Sequence, residues 1–135
     1  MTEPIRRVRA DELSDGPSTP GMSRRQAVAT GVVWAGLVHT QPGAVSGWHH
    51  HGDHESVIYV LSGALRMESG AHGEDVFDAL PGEFIYVPRY SIHREGNTTN
   101  QVATLVVTRS GQGESVLNVD GPEGGVSSGV VGRAI

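Results

Sequence analysis

The chain has 135 residues, a length that supports one domain with a single modest core. Its formal net charge is -5 and every basic residue is an arginine, with no basic stretch able to neutralise a row of phosphates, so nucleic acid is excluded as an expected partner. Cysteine is absent, which excludes disulfides and thiolate ligands and leaves His, Asp, Glu and backbone groups to build any metal site; a reducing cytoplasm is the expected location.

In chain order, residues 1–30 are polar and broken by Pro4, Pro17 and Pro20, and are expected to form an N-terminal arm with one short strand around Ile5–Arg9. The twin arginine of "SRRQAVATGVVWAGLV" superficially resembles an export signal. Its apolar part is too short to span a bilayer, and no membrane partner is expected. "VVWAGLVHT" (32–40) reads instead as a strand closed by the turn "QPGA". From Val57 onward short apolar runs recur: 57–61, 64–69, 74–80, 83–88, 101–109 and 114–119. Between them stand Ser62-Gly63, Gly70 with Gly73, Pro81-Gly82, Gly96-Asn97 and Gly111 with Gly113, residues that supply turn conformations. No window has helical periodicity. The spacing predicts an all-β antiparallel barrel or sandwich over 31–120, followed by a Gly/Ser-rich tail at 121–135.

"GWHHHGDHESVIYVLSG" (47–63) holds four of the seven histidines. Side chains alternate along a strand, so His49 and His51 face one way and His50 the other. Imidazole nitrogens about 2.0–2.2 Å from a divalent ion are the usual requirement. Glu55 follows after the turn at Gly52-Asp53 and can add a carboxylate. His93, in "PGEFIYVPRYSIHREGN", is the candidate fourth ligand from another strand. By the period of two, Glu95 shares the face of His93 and is a candidate second carboxylate in the cavity. Arg66, Arg89 and Arg94 are candidate clamps for a substrate carboxylate or else solvated strand residues. Asn97 is expected to stabilise a turn, and Trp34, Trp48, Phe77 and Phe84 to pack in the core or at an interface.

These residues resemble the cupin superfamily, whose first motif is G-x5-H-x-H-x3 or x4-E-x6-G and whose second is G-x5-P-x-G-x2-H-x3-N. Gly43, His49, His51, Glu55 and Gly63 follow the first; Gly82, Pro88, His93 and Asn97 follow the second. The resemblance implies a double-stranded β-helix, or jelly-roll-like barrel, that holds a divalent metal through His49, His51, Glu55 and His93. Seven residues separate Glu55 from Gly63 where the motif has six, so counting back from Gly63 puts Ser56 in the place of the glutamate. Either a bulge restores Glu55 to the metal or His54 substitutes for it. Tyr90 stands where the family has glycine, which places a phenol near the mouth of the barrel.

Oxygen and nitrogen donors suit Fe(II), Mn(II), Ni(II) or Zn(II). The expectation is a metal-dependent enzyme of dioxygenase, isomerase or lyase type acting on a small, oxygen-rich, chelating molecule, with Glu95 or Tyr90 as candidates for proton handling. The alternative is a non-catalytic ligand-binding or sensor module. The resemblance also implies a homodimer, with the arm as a possible exchanged strand.

Overall fold

The computed structural model describes residues 2–111 and 116–124. Two antiparallel sheets face each other. The strands are β1 (Ser14–Asp15), β2 (Met22–Ala29), β3 (Val33–Thr40), β4 (His49–His50), β5 (Ser56–Ser62), β6 (Leu65–Ser69), β7 (Asp75–Ala79), β8 (Phe84–Val87), β9 (His93–Gly96), β10 (Ala103–Ser110) and β11 (Leu117–Asn118). A six-stranded sheet runs β1-β2-β3-β10-β5-β8 and a five-stranded sheet runs β11-β4-β9-β6-β7. The only helix among the described residues is a single 3-10 turn, Ala10–Glu12. This is the expected all-β architecture, a double-stranded β-helix.

Period-two alternation builds the core. Across the larger sheet Val38 pairs with Leu105 and Leu105 with Val60, all fully buried, while Ile58 and Ile85 form the next inward row toward the β8 edge. Leu65, Met67 and Ala79 close the core from the smaller sheet. At about 25 cal/mol per Å² of apolar surface removed from water, burial of such side chains is the main favourable term in folding. The chain crosses between the sheets after β5, and Gly63 sits there at φ 79°. A Cβ at that position would lie 2.7 Å from both the Ala103 Cα and the Val102 carbonyl oxygen, so the turn demands glycine twice over.

The N-terminal segment departs from expectation. Ile5–Arg9 forms no strand and Ile5 is exposed. Residues 22–29, expected within an arm, instead form an eight-residue strand paired along β3, with a bulge between Gln26 and Val28. Within this strand the twin arginine splits between faces: Arg24 is buried, whereas Arg25 is directed to Asp15 of β1. The part of the expected tail from residue 125 onward, and residues 114 and 115 of the last expected strand, lie outside the described residues. Phe77 and Phe84 lie on outer surfaces, at 47% and 71% exposure, and not in the core.

Candidate metal centre

Strands β4 and β9 lie side by side, and His49 is paired directly with His93. His51 follows two residues after His49, so the same alternation turns it to the same side. The three rings converge, with centroids 4.2 Å apart for His49 and His93, 5.0 Å for His51 and His93, and 5.1 Å for His49 and His51. One nitrogen from each lies within 4.8 Å of the others, and all three residues are buried. Three histidines are thus positioned to hold a metal ion.

The hydrogen bonds around the rings aim the lone pairs. His49 Nδ1 lies 2.8 Å from the Gly47 carbonyl oxygen and His93 Nδ1 lies 2.9 Å from that of Ser91. A carbonyl only accepts, so each Nδ1 carries a proton; at His49 this leaves Nε2 with its lone pair inward, as a metal-binding imidazole requires, and at His93 Nε2 faces the carboxylate of Glu95. The His49 Nε2 atom is fully buried and has no hydrogen-bond partner. A buried acceptor in this condition costs stability unless something coordinates it, so the residues present fit a divalent ion.

Glu95 occupies the same wall, two residues beyond His93 and completely buried. Its Oε2 lies 3.2 Å from His93 Nε2 and 3.5 Å from His49 Nε2. Burial alone would raise its pKa, but His49 and the contact with His93 outweigh this and hold the carboxyl well below the usual range. Burial lowers the His49 imidazole to about 4, against the attraction of Glu95, and lowers His51 to about 2, with Arg109 adding to the effect. At His93 burial acts downward as well, but the bond to Glu95 prevails and the pKa is raised.

Glu55 does not join this group. It immediately precedes β5, whose first residue, Ser56, pairs with buried Val87, whereas Val57 pairs with outward Tyr86. The face of Glu55 is therefore the outer one, and its carboxylate accepts a hydrogen bond from the Tyr86 hydroxyl and lies 3.6 Å from Arg89. No bulge brings it inward; the extra residue before Gly63 leaves Ser56 buried on the inner wall, where its hydroxyl accepts from Arg109 Nε at 3.0 Å. His54 is buried but engaged through Nδ1 with the Ser110 carbonyl oxygen, also apart from the triad. Tyr90 is 62% exposed, with its ring 6.1 Å from His50 and not among the three histidines. It adopts φ 58°, the left-handed conformation that the glycine of the motif would take without strain.

The arginines singled out in the sequence are surface partners: Arg66 binds Asp78, Arg94 binds Glu68 and covers Trp48, and Arg89 lies between Asp53 and Glu55. The arginines inside the barrel are Arg24 and Arg109, which sequence reasoning missed. Asn97 is fully buried and stitches its turn: its amide donates to the Thr40 and Gln101 carbonyls and its oxygen accepts from the Thr99 amide and hydroxyl.

The Cupin domain family model matches residues 36–109, more than half of the chain. Among solved structures, the polyketide cyclase RemF from Streptomyces resistomycificus is similar over 93% of this chain and 89% of its own, at 20% identity and a TM-score of 0.73. A sugar phosphate isomerase of the cupin superfamily from Silicibacter pomeroyi aligns over 86% and 83%, at 20% identity and 0.72. KdgF from Halomonas sp. aligns over 78% and 93%, at 23% identity and 0.65. No curated protein matches the chain by sequence.

Proposed function

The chain belongs to the cupin superfamily, and from that premise we propose that it is a metal-dependent enzyme acting on a small, oxygen-rich molecule that chelates the ion. The observation that carries this reading is the convergence of three buried imidazole nitrogens on one wall of the barrel, with the carboxylate of Glu95 against two of them. His49, His51 and His93 would hold a divalent ion and Glu95 would supply the anionic fourth donor in place of Glu55. A bound ion with these donors keeps open positions and acts as a Lewis acid on substrate oxygens. A general base works best with a pKa near the working pH, so a carboxyl held below its ordinary range suits the role of donor better than that of proton acceptor.

Isomerase, lyase and dioxygenase chemistry all use such a centre. The test is to load the protein in turn with Fe(II), Mn(II), Ni(II) and Zn(II), measure metal stoichiometry, and follow hydroxy acids, diketones, catechols and sugar acids with and without dioxygen. Conversion of any of these by the loaded protein supports an enzyme, and dependence on dioxygen selects the dioxygenase class. Tight binding without turnover selects the sensor instead. Failure to retain any metal overturns the metal-dependent enzyme and leaves the binding module.

A homodimer belongs to the same reading. β8 is an edge strand, and Val57, Leu61, Phe84 and Tyr86 lie exposed on β5 and β8, an apolar strip that a second copy would cover. Sedimentation equilibrium giving the mass of a single chain would count against it.

A further inference from the structure

The wall opposite the histidines carries two arginines that the metal reading does not use. Arg24, on β2, pairs with buried Val38 and is only 7% exposed. Its Nη1 donates to the Pro17 carbonyl at 2.9 Å, whereas its Nη2 is buried without a hydrogen-bond partner. Arg109, on β10, pairs with Ser56 and Trp34 and is steered inward by the bond from its Nε to the Ser56 hydroxyl. Both guanidiniums interact electrostatically with Glu95 and with each other.

Charge balance gives this arrangement a direction. Glu95 is the only buried carboxylate among the described residues, and two guanidiniums, of buried Arg24 and of half-buried, inward-facing Arg109, exceed its single negative charge. A divalent ion on the histidines widens the excess. Buried charge of one sign is costly unless a counter-charge accompanies it. An anionic ligand supplies that counter-charge and at the same time gives Arg24 Nη2 its missing acceptor.

We propose that Arg24 and Arg109 form an anion site that receives a carboxylate of the substrate, while other oxygens of the same molecule face the histidine wall. This deepens the reading above and rests on it. Nη1 of Arg24 is already engaged with the Pro17 carbonyl, and its unpartnered Nη2 can donate a charge-assisted hydrogen bond to one carboxylate oxygen. The substrate class narrows to small hydroxy, keto or enol acids.

The test is calorimetric titration of the Zn(II)-loaded protein with malonate, its neutral analogue malonamide, and inorganic phosphate. Malonate is expected to bind and malonamide not. Arg24→Gln and Arg109→Gln should each weaken malonate by about tenfold or more, the loss of a charge-assisted hydrogen bond, with zinc content unchanged. Arg24→Lys should recover part of the loss. If Arg24→Gln melts before it can be titrated, Arg24→Lys and Arg109→Gln carry the comparison. Malonate affinity indifferent to both arginines, no anion binding by the wild type, or phosphate bound more tightly than malonate overturns the carboxylate site. Arginine-dependent malonate binding by chelator-treated protein that takes up no zinc upholds the anion site and sinks the metal reading, so the two fail separately.

Discussion

The two walls of the barrel divide the chemistry. The smaller sheet and the segment beside it present lone pairs and negative charge, His49, His51, His93 and Glu95; the larger sheet presents Arg24 and Arg109. Both walls alternate inward and outward residues by the same rule, yet one is built from residues close together in sequence and the other from residues far apart. His49 and His51 are two apart, and His93 and Glu95 are two apart, whereas Arg24 and Arg109 sit on strands separated by most of the chain. A donor cluster made of such pairs leaves a trace in sequence, and a charged wall assembled across strands does not.

Substitutions on the two walls should therefore have opposite effects on metal. The largest effect is expected from His93→Ala, which removes one of three imidazoles: metal content after dialysis should fall far below that of the wild type, with affinity lower by about 100-fold or more. Retention of full stoichiometry, measured by elemental analysis, would break the division between walls. Glu95→Gln comes next and should weaken metal binding by about 10- to 100-fold if the carboxylate is a donor. Full metal content with lost turnover would instead return Glu95 to the proton-handling role expected from the sequence.

Acid should act through the histidine wall. Burial lowers His49 to about 4 and His51 to about 2, from 6.5 in the unfolded chain. Below about pH 6.5 the unfolded chain takes up protons that these folded rings refuse, so their contribution falls as the pH drops from there toward 4. His93 has the opposite sign: its raised pKa adds stability below 6.5 that is lost as pH rises through its folded value. Between pH 6.5 and 4 the His93 contribution is already in place and those of His49 and His51 change, so the metal-free protein should melt at progressively lower temperature over that range; a flat profile would contradict the burial of His49 and His51. Metal should also be released over this range, because only the neutral ring coordinates.

A smaller effect separates the walls again. Arg109→Gln removes a positive charge near the centre, so zinc should bind equally well or a few-fold more tightly, on the order of 1 kcal/mol or less. Weaker zinc would mean that Arg109 organises the donors themselves. The smallest effect is expected from Glu55→Ala on the outer face, where metal content should be unchanged and stability should shift by about 1 kcal/mol or less, the range of surface ion pairs.

Much of this molecule was legible in its sequence because the signals are local. Turn glycines and period-two runs marked β3, β5, β6, β7, β8 and β10, and two-residue spacing put His49 with His51 and Glu95 with His93. Tyr90 stands at the glycine position of the motif and takes the left-handed φ that glycine would adopt there. The misreadings lie where a one-residue offset decides the face. Glu55 matched the motif when counted forward from the histidines, but strand pairing with β8 makes Ser56 the inward residue. Of the two readings open for Arg66, Arg89 and Arg94, clamp or surface residue, the surface one fits: each meets a carboxylate on a neighbouring strand or loop.

Composition and spacing alone determined the all-β class, the absence of sulfur ligands, and the histidines that can meet. Tertiary structure alone decided that Ser56 and not Glu55 takes the inner place, that residues 22–29 join the larger sheet, and that Arg24 turns inward while Arg25 turns out. The reason is that alternation gives a side chain one of two faces, but which face is the interior is set by register with strands distant in the chain.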